Sequence, residues 1–480
     1  MMNKIYTALS YDDVLLVPQY SDIVSRQDVD TSTWLTRKIK LNIPLLSANM
    51  DTVTEHRMSI AMARMGGAGV IHRFLTIAKQ ADEVKKVKRS ESIVIEHPYT
   101  IKPQSTIQEL DNLRQQYNVS GFLVTDEDGY LQGIVTRRDT LFINGDQKYV
   151  QDVMTPLKNL ITAKKGITLK AAQNLLALNK IEKLPLIDER GRLDGLITAT
   201  DIEKRDKYPL AVKDDKGKLI VGAAIGVKDD VLERSEALIK AGVDFLVVDI
   251  AHGHAISAIQ TIQAVKASFP DIDIIGGNVA SAQAVKDLVN AGVDAVKVGV
   301  GPGSTCITRI VTGSGVPQLT AVMNCARAGK KYNIPIIADG GLRTSGDITK
   351  AIAGGADCIL SGNLFAGTEE TPGIVVYKDG QQYKIYRGMA SFGATAGRKE
   401  VEKGDWEDNS LDNVVPEGVE SLISLRGPVT EVIKQLVGGF RSGMSYSGAR
   451  TIKELQQKAQ FVRITPGGQR ESTHHDVIKL

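Results

Sequence analysis

The run Gly299–Thr308 reads GVGPGSTCIT and holds the group best suited to covalent chemistry, the thiol of Cys306. Gly301 and Gly303 permit backbone conformations closed to other residues, so N–H and carbonyl groups there can turn toward an ion or a phosphate. Cys306 stands outside any apolar strand, flanked by Ser304, Thr305 and Thr308. A thiolate in that setting can attack an electron-poor carbon and form a covalent intermediate. The competing reading is a packing cysteine, which suits Cys325, in a helical pattern, and Cys358, on a strand, better than it suits Cys306. Asp339, in IIADGG, is the type of residue that accepts hydrogen bonds from both hydroxyls of a ribose, and Gly340 and Gly341 behind it let a phosphate approach the backbone. Gly362 and Asn363 in SGN, Asp249 in VVDIAHGH, Asn278 in GGNV and Gly299 complete the set. With Ser304 they point to a mononucleotide. No GxGxxG follows an N-terminal strand, so a Rossmann domain is not indicated, and any dinucleotide must lie across the mouth of the same site.

Each of these groups follows a short apolar run. The second half repeats one unit: AGVD at Ala241–Asp244 before Phe245–Val248, AGVD at Ala291–Asp294 before Ala295–Val300, and GGAD at Gly354–Asp357 before Cys358–Leu360. A helix ending at glycine leads into a strand without alternation, as buried parallel strands require. Ile220–Ala223, Ile272–Gly276, Pro335–Ala338, Pro44–Ala48 and Ala68–Ile71 are of the same kind. The alternation predicts an α/β fold, and eight such units predict a closed (β/α)8 TIM barrel with its chemistry at the C-terminal strand ends. An open, doubly wound sheet is the alternative.

Roughly 150 residues separate the second and third strands, far beyond a normal connection. Phe122–Asp139, FLVTDEDGYLQGIVTRRD, and Leu184–Asp201, LPLIDERGRLDGLITATD, keep register: Asp126 with Asp188, Gly129 with Gly191, Thr136 with Thr198, Asp139 with Asp201. This stretch resembles a tandem CBS (Bateman) pair, a module that binds adenine or guanine nucleotides; Thr136, Asp139, Thr198 and Asp201 are then the regulatory contacts. A purely structural insertion is the alternative. The expected domains are 1–91 and 206–480 for the barrel and 92–205 for the pair.

Composition narrows the class. The 480 residues carry 59 basic and 56 acidic side chains, a formal net charge of +3. That is too little to imply nucleic acid, and no basic run interleaves with aromatics. No apolar stretch reaches membrane-spanning length and Met1–Ser10 lacks signal-peptide regions, so no membrane partner is expected. Three cysteines without a CxxC pair suit a reduced cytoplasm.

The chain resembles the IMP dehydrogenase and GMP reductase family over essentially its full length. The resemblance is carried by SYDDVLLVP at Ser10–Pro18, MDTVTE at Met50–Glu55, VGVGPGSTCITR at Val298–Arg309, IIADGG at Ile336–Gly341, YRGM at Tyr386–Met389 and VPEG at Val415–Gly418. It implies that Cys306 attacks C2 of the purine of IMP or GMP, with Thr308 assisting. Asp339 would hold the ribose, Ser304 and Gly362 the phosphate, and Met389 and Glu417 the base, with Gly341, Asn363 and Tyr386 as further substrate contacts. Asp249, Asn278 and Gly299 would line the mouth near the nicotinamide of NADPH or NAD. A monovalent cation, K+, would bind carbonyls of Gly301, Gly303 and Cys306, joined by Glu471 and Ser472 of a neighbouring subunit. The same resemblance implies a homotetramer or octamer.

Both branches of the family pass through a thioimidate on Cys306. Dehydrogenases then hydrolyse it with a flap Arg-Tyr pair; reductases expel ammonia from GMP and reduce the adduct. The flap here, ATAGRKEVEKGDWEDNSLDNVV at Ala394–Val415, contains no Arg-Tyr: Lys403 and Gly404 fall at the pair's positions and Arg398 lies upstream. Without a positioned base, hydrolysis loses orders of magnitude. SANMD, PQLTAVMNCA and GMAS also resemble reductases. Against this, Phe392 falls where short reductases place a catalytic Glu, with only Glu400 or Glu402 nearby, and the CBS pair, VPEG and the tail are commoner in dehydrogenases. The reductase is the favoured branch, the dehydrogenase the alternative, and an inactive nucleotide-sensing relative the remote one.

Overall fold

The computed structural model describes residues 5–90, 94–117, 119–141, 148–200, 202, 208–403 and 415–473. Two compact units result, Met1–Ser90 with Leu210–Leu480, and Glu91–Pro209.

The first unit is a closed barrel of eight parallel strands. In chain order they are β1 (Leu45–Ser47), β2 (Ala68–Ile71), β3 (Val221–Ile225), β4 (Phe245–Asp249), β5 (Asp273–Val279), β6 (Ala295–Val298), β7 (Ile336–Asp339) and β8 (Cys358–Ser361). Each is followed by a helix: α1 (His56–Arg64), α2 (Ile77–Arg89), α3 (Val231–Ala241), α4 (Ile256–Ser268), α5 (Ala282–Ala291), α6 (Gln318–Tyr332), α7 (Ser345–Ala353) and α8 (Val429–Tyr446). The predicted strands are these eight, with ends shifted by up to three residues. α3 and α5 stop where Gly242 and Gly292 take left-handed φ values of 94° and 106°, the C-cap that glycine supplies without strain.

Side-chain parity along the strands decides what reaches the mouth. Phe245 and Val247 pack inside the barrel, as do Ala295 and Ile337, while Leu246, Val296 and Ile336 face the helices. One step further on the inward parity come Asp249, Lys297 and Asp339. β5 adds Asn278 by an irregularity. Its register slips between Gly277, opposite Lys297, and Val279, opposite Val298, a one-residue bulge of the kind that re-aims a side chain.

Beyond β8 the chain adds an antiparallel sheet, β9 (Val376–Lys378), β10 (Gln381–Arg387) and β11 (Glu420–Ser424). Asp379 and Gly380, at φ 50° and 76°, turn the β9–β10 hairpin with both central residues left-handed, the geometry that Asp-Gly favours.

The second unit holds two copies of one hairpin. Gly121–Thr125 pairs with Leu131–Thr136, and Lys183–Ile187 with Leu193–Thr198, both antiparallel. The turns are built alike. Asp126 Oδ1 accepts from the backbone of Asp128 and Tyr130 at 3.1 and 2.8 Å, and Asp188 Oδ1 accepts from Arg190 and Arg192, both at 2.8 Å. The turns pair with each other, Leu131 N donating to Gly191 O and Leu193 N to Gly129 O. Asp214 closes a third such turn in the barrel unit, accepting from Lys216 and Lys218 at 2.9 Å each.

Candidate active site

At the C-terminal ends of the strands lies a cavity of about 640 Å³, a size that suits a small ligand. It takes in Cys306, Thr308, Ser304, Asp339, Gly341, Gly362, Asn363, Tyr386, Met389, Glu417, Asp249, Asn278, Gly299, Gly301 and Gly303. Thus every catalytic, substrate and cofactor candidate is brought to one place.

The Cys306 loop is part of a small woven layer. Cys306 N donates to Gly303 O at 3.1 Å, closing the turn. On its other side Cys306 and Gly418 form an antiparallel bridge, with Ile307 N donating to Glu417 O at 2.8 Å and Val419 N to Thr305 O at 2.9 Å. Gly388 N donates to Val419 O and Glu417 N to Ala390 O, both at 3.0 Å. The thiol, Glu417 and Met389 are therefore set against one another by main-chain bonds.

The side chains continue the arrangement. Cys306 Sγ donates to Thr308 Oγ1 at 3.2 Å, and Thr308 Oγ1 donates to Glu417 Oε2 at 2.7 Å. A carboxyl group is thereby connected through one hydroxyl to the sulfur of Cys306. Cys306 is partly exposed, whereas Cys325 and Cys358 are buried. Burial pushes the Cys325 thiol up to about 12 and, with Asp357, raises Cys358 well above the ordinary range, so neither yields a thiolate.

The same cavity holds a network of which the sequence reading missed two members, Lys297 and Gln318. Lys297, with its side chain 3% exposed, donates to Asp339 Oδ2 at 2.8 Å, to Asn278 Oδ1, and to Asp249 Oδ1 at 3.5 Å. Burial alone would lower its pKa; Asp339 and Asp249 outweigh that and raise it. Asn278 Nδ2 donates to Asp339 Oδ2 at 2.8 Å and to Gly299 O at 2.7 Å. Gln318 Nε2 donates to Val298 O and to Asp339 O at 2.8 and 3.0 Å. A Cβ on Gly299 would overlap the Asp339 carbonyl, so only glycine lets β6 and β7 approach here. The signal for Lys297 was present: a lysine inside the apolar strand AVKV is almost never buried unpaired.

Ser304 Oγ and Tyr386 OH lie 3.2 Å apart, and Asp51 N donates to Met389 Sδ at 3.4 Å. Arg387 Nε donates to Asp51 Oδ2 at 2.9 Å, tying β10 to the end of β1. Glu471 and Ser472 end the helix Pro466–Glu471, where backbone carbonyls lack intrahelical partners. Thr136 and Thr198 close equivalent strands, and Thr136 donates from N and Oγ1 to Asp139 Oδ2 at 2.7 and 2.8 Å. Asp201, Gly404 and the side chains of Arg398, Glu400, Glu402 and Lys403 lie outside the described residues. Among the described residues, Glu55, His56 and Glu83 have metal-ligand spacing. Glu83 is already engaged by His56 at 2.6 Å and Lys86 at 2.7 Å, which reads as an ion-pair cluster.

Residues 8–475 match the model of the IMP dehydrogenase / GMP reductase domain. The chain belongs to the IMP dehydrogenase / GMP reductase family. It is 54% identical to an inosine-5'-monophosphate dehydrogenase of Nitrosopumilus maritimus, over 98% of this chain and 99% of that one. It is equally identical to that of Aquifex aeolicus, over 99% of this chain and 96% of that one. A crystal structure of a GMP reductase from Trypanosoma brucei in complex with guanosine 5'-monophosphate superposes with a TM-score of 0.94 at 45% identity, covering 99% of both chains. The chain is thus a purine-nucleotide oxidoreductase of an NAD(P)-dependent family, built as a TIM barrel with an inserted unit of two like hairpins. No described helix is long and apolar enough to cross a membrane.

Proposed function

We propose that this enzyme is a GMP reductase, converting GMP and NADPH to IMP, ammonia and NADP. The observation that carries the reading is the chain of hydrogen bonds from Glu417 through Thr308 to Cys306, in a protein whose flap sequence lacks the Arg-Tyr pair. Cys306 passes its proton through Thr308 to Glu417 and, as thiolate, adds to C2 of the guanine. The C2–N bond to the exocyclic amine breaks, and the amine leaves as ammonia on taking a proton from Glu417 by way of Thr308. Such positioned proton transfer contributes about 10²–10⁴-fold. The nicotinamide supplies the hydride that reduces C2 of the adduct, and the carbon–sulfur bond then breaks to free IMP.

The remaining residues fit around this step. Asp339, oriented by Lys297 and Asn278, accepts from the ribose hydroxyls. Ser304, Gly341, Gly362, Asn363 and Tyr386 hold the phosphate, and Met389 packs against the base. Asp249, Asn278 and Gly299 face the nicotinamide. Carbonyls of Gly301, Gly303 and Cys306 suit a potassium ion, with Glu471 and Ser472 supplied by a neighbouring copy in a tetramer or octamer. The CBS pair, through Thr136, Asp139, Thr198 and Asp201, takes adenine or guanine nucleotides and regulates the barrel from a cytoplasmic pool.

A second reading, IMP dehydrogenase, is favoured by the relatives of that name at 54% identity. There the Thr308–Glu417 pair would take a proton from water attacking the adduct, and XMP would be the product. The two separate in one assay: purified enzyme with GMP and NADPH, or with IMP and NAD, followed by absorbance of the reduced nicotinamide. Faster oxidation of NADPH with GMP is expected. Robust XMP formation from IMP, lost on Arg398→Ala, would overturn the reductase.

A further inference from the structure

The loop that carries Cys306 leaves β6 after Val298 and returns into α6 at Gln318. One side chain inside it holds both arms. Arg309 stands in the short helix Thr308–Thr312, next in sequence to Thr308, and lines the same cavity. Its guanidinium turns back toward the base of the loop. Nε donates to the Val300 carbonyl on the outgoing arm at 3.3 Å, and Nη2 donates to the Val316 carbonyl on the returning arm at 2.6 Å.

The aliphatic stem is seated as closely as the head. A Cβ built on Gly301 would stand 2.5 Å from Arg309 Cγ, and one on Gly315 would stand 2.7 Å from both Cγ and Nε. The side chain thus lies in a slot between two glycines, one on each arm, and a larger residue at either would displace it. Hydrogen bonds from a charged donor are roughly twice as strong as neutral ones. A planar guanidinium also reaches two acceptors in fixed directions, which a compact ammonium does not.

The staple sits at a sensitive level of the loop. Nearer the barrel, Gln318 Nε2 joins the arms through Val298 O at 2.8 Å. Farther out, Cys306 N closes its turn on Gly303 O. Arg309 lies between and sets how the helix that begins at Thr308 rests on the Gly299–Gly303 turn. The bonds of 3.2 Å from Cys306 Sγ to Thr308 Oγ1 and 2.7 Å from Thr308 Oγ1 to Glu417 depend on that placement. A misplacement of about 1 Å at such a point can cost about 100-fold in rate.

We propose that Arg309 is a positioning residue for the reaction, acting through the loop to hold Thr308 against Cys306. This rests on the covalent reading of Cys306 made above. The test compares wild type, Arg309→Ala and Arg309→Met. Turnover is read with GMP and NADPH and with IMP and NAD, and affinity by calorimetric titration of GMP and IMP. In both variants kcat should fall about 100-fold. Nucleotide affinity should change by less than about 3-fold, because Asp339, Gly341 and Gly362 stand at the ends of β7 and β8, outside this loop. Alanine empties the slot, so millimolar guanidinium should return about 10-fold of the lost kcat. Tetramethylammonium, equally charged but without N–H donors, should return none. Methionine fills the slot with an apolar stem, so Arg309→Met should not respond to guanidinium; it also carries the comparison of kcat with affinity if the alanine variant fails to fold. Near-normal kcat in either variant would overturn the proposal. So would a loss of kcat matched by an equal loss of affinity and unmoved by guanidinium, the mark of a residue needed only for folding of the loop. Turnover that survives in Cys306→Ala would sink the covalent reading itself, whatever Arg309 does.

Discussion

Replacing Lys297 by methionine tests the network around Asp339 most directly. The substitution keeps the length of the chain and removes one charge from among Asp339, Asp249 and Asn278. Breaking a buried pair by removing one partner costs about 3–5 kcal/mol. The two carboxylates are 20% and 19% exposed at the cavity, so the lower end, about 3 kcal/mol, is the better expectation. For a folding unit of roughly 360 residues that corresponds to a Tm loss of about 4 °C. The sign with pH is fixed by the raised pKa of Lys297. Its contribution is fully present below the ordinary lysine value and is lost only as pH rises through the elevated folded value. The gap between wild type and variant should be flat from about pH 6 to 9 and narrow above about pH 10.4. GMP affinity should fall about 10-fold as Asp339 loses its orientation. Adding Asp249→Asn should recover part of the lost stability, because one uncompensated carboxylate is removed. Thermal melts across pH and calorimetry check these. A Tm change under about 1 °C with unaltered GMP affinity would refute the argument that Lys297 holds Asp339.

Three further outcomes follow from other parts of the molecule. Glu417→Gln should lower kcat by about 10²–10³-fold with GMP binding retained, while Cys306→Ala abolishes turnover; near-normal kcat in Glu417→Gln would remove the proton relay. Burial raises Asp357 to about 6, so the folded state favours its neutral form, and stability should fall as pH rises from about 4 to 6 by about 3 kcal/mol. Asp357→Asn should then melt above wild type at pH 8, with the gap closing by about pH 4. Calorimetry should detect ATP, GTP or their diphosphates on the CBS pair and a change in activity or assembly; failure of all of them to bind removes its regulatory role.

The barrel was legible because its strands are short apolar runs without alternation, and Phe245–Val248 or Ala295–Val298 have no other stable place than a strand covered on both faces. The site was legible where glycine and polar residues follow those runs, as at Cys306 and Asp339. What escaped had its own signals. Lys297 was hidden because AVKV reads as packing, although its parity with Ala295 aims it inward. The β9–β10 hairpin was announced by Asp379–Gly380 between alternating residues. Asp214 repeats the turn pattern of Asp126 and Asp188 but lies outside the duplicated segment.

The woven layer around Cys306 has a consequence for how this fold can change its chemistry. One end of the flap, Glu417–Val419, is bonded to the Cys306 loop, and the other, Gly388–Ser391, is bonded to Glu417–Val419. The distance between thiol and Glu417 is thus set by two anchored ends and not by the chain that runs between them. Doubling the length of such a connecting segment costs only about 0.6 kcal/mol of closure entropy, and exchanging its residues leaves the anchors in place. The stretch between the anchors therefore behaves as an interchangeable cassette. On the covalent mechanism proposed above, adduct formation belongs to the frame, and its second fate, by water or by hydride, can be rewritten in the cassette without rebuilding the frame.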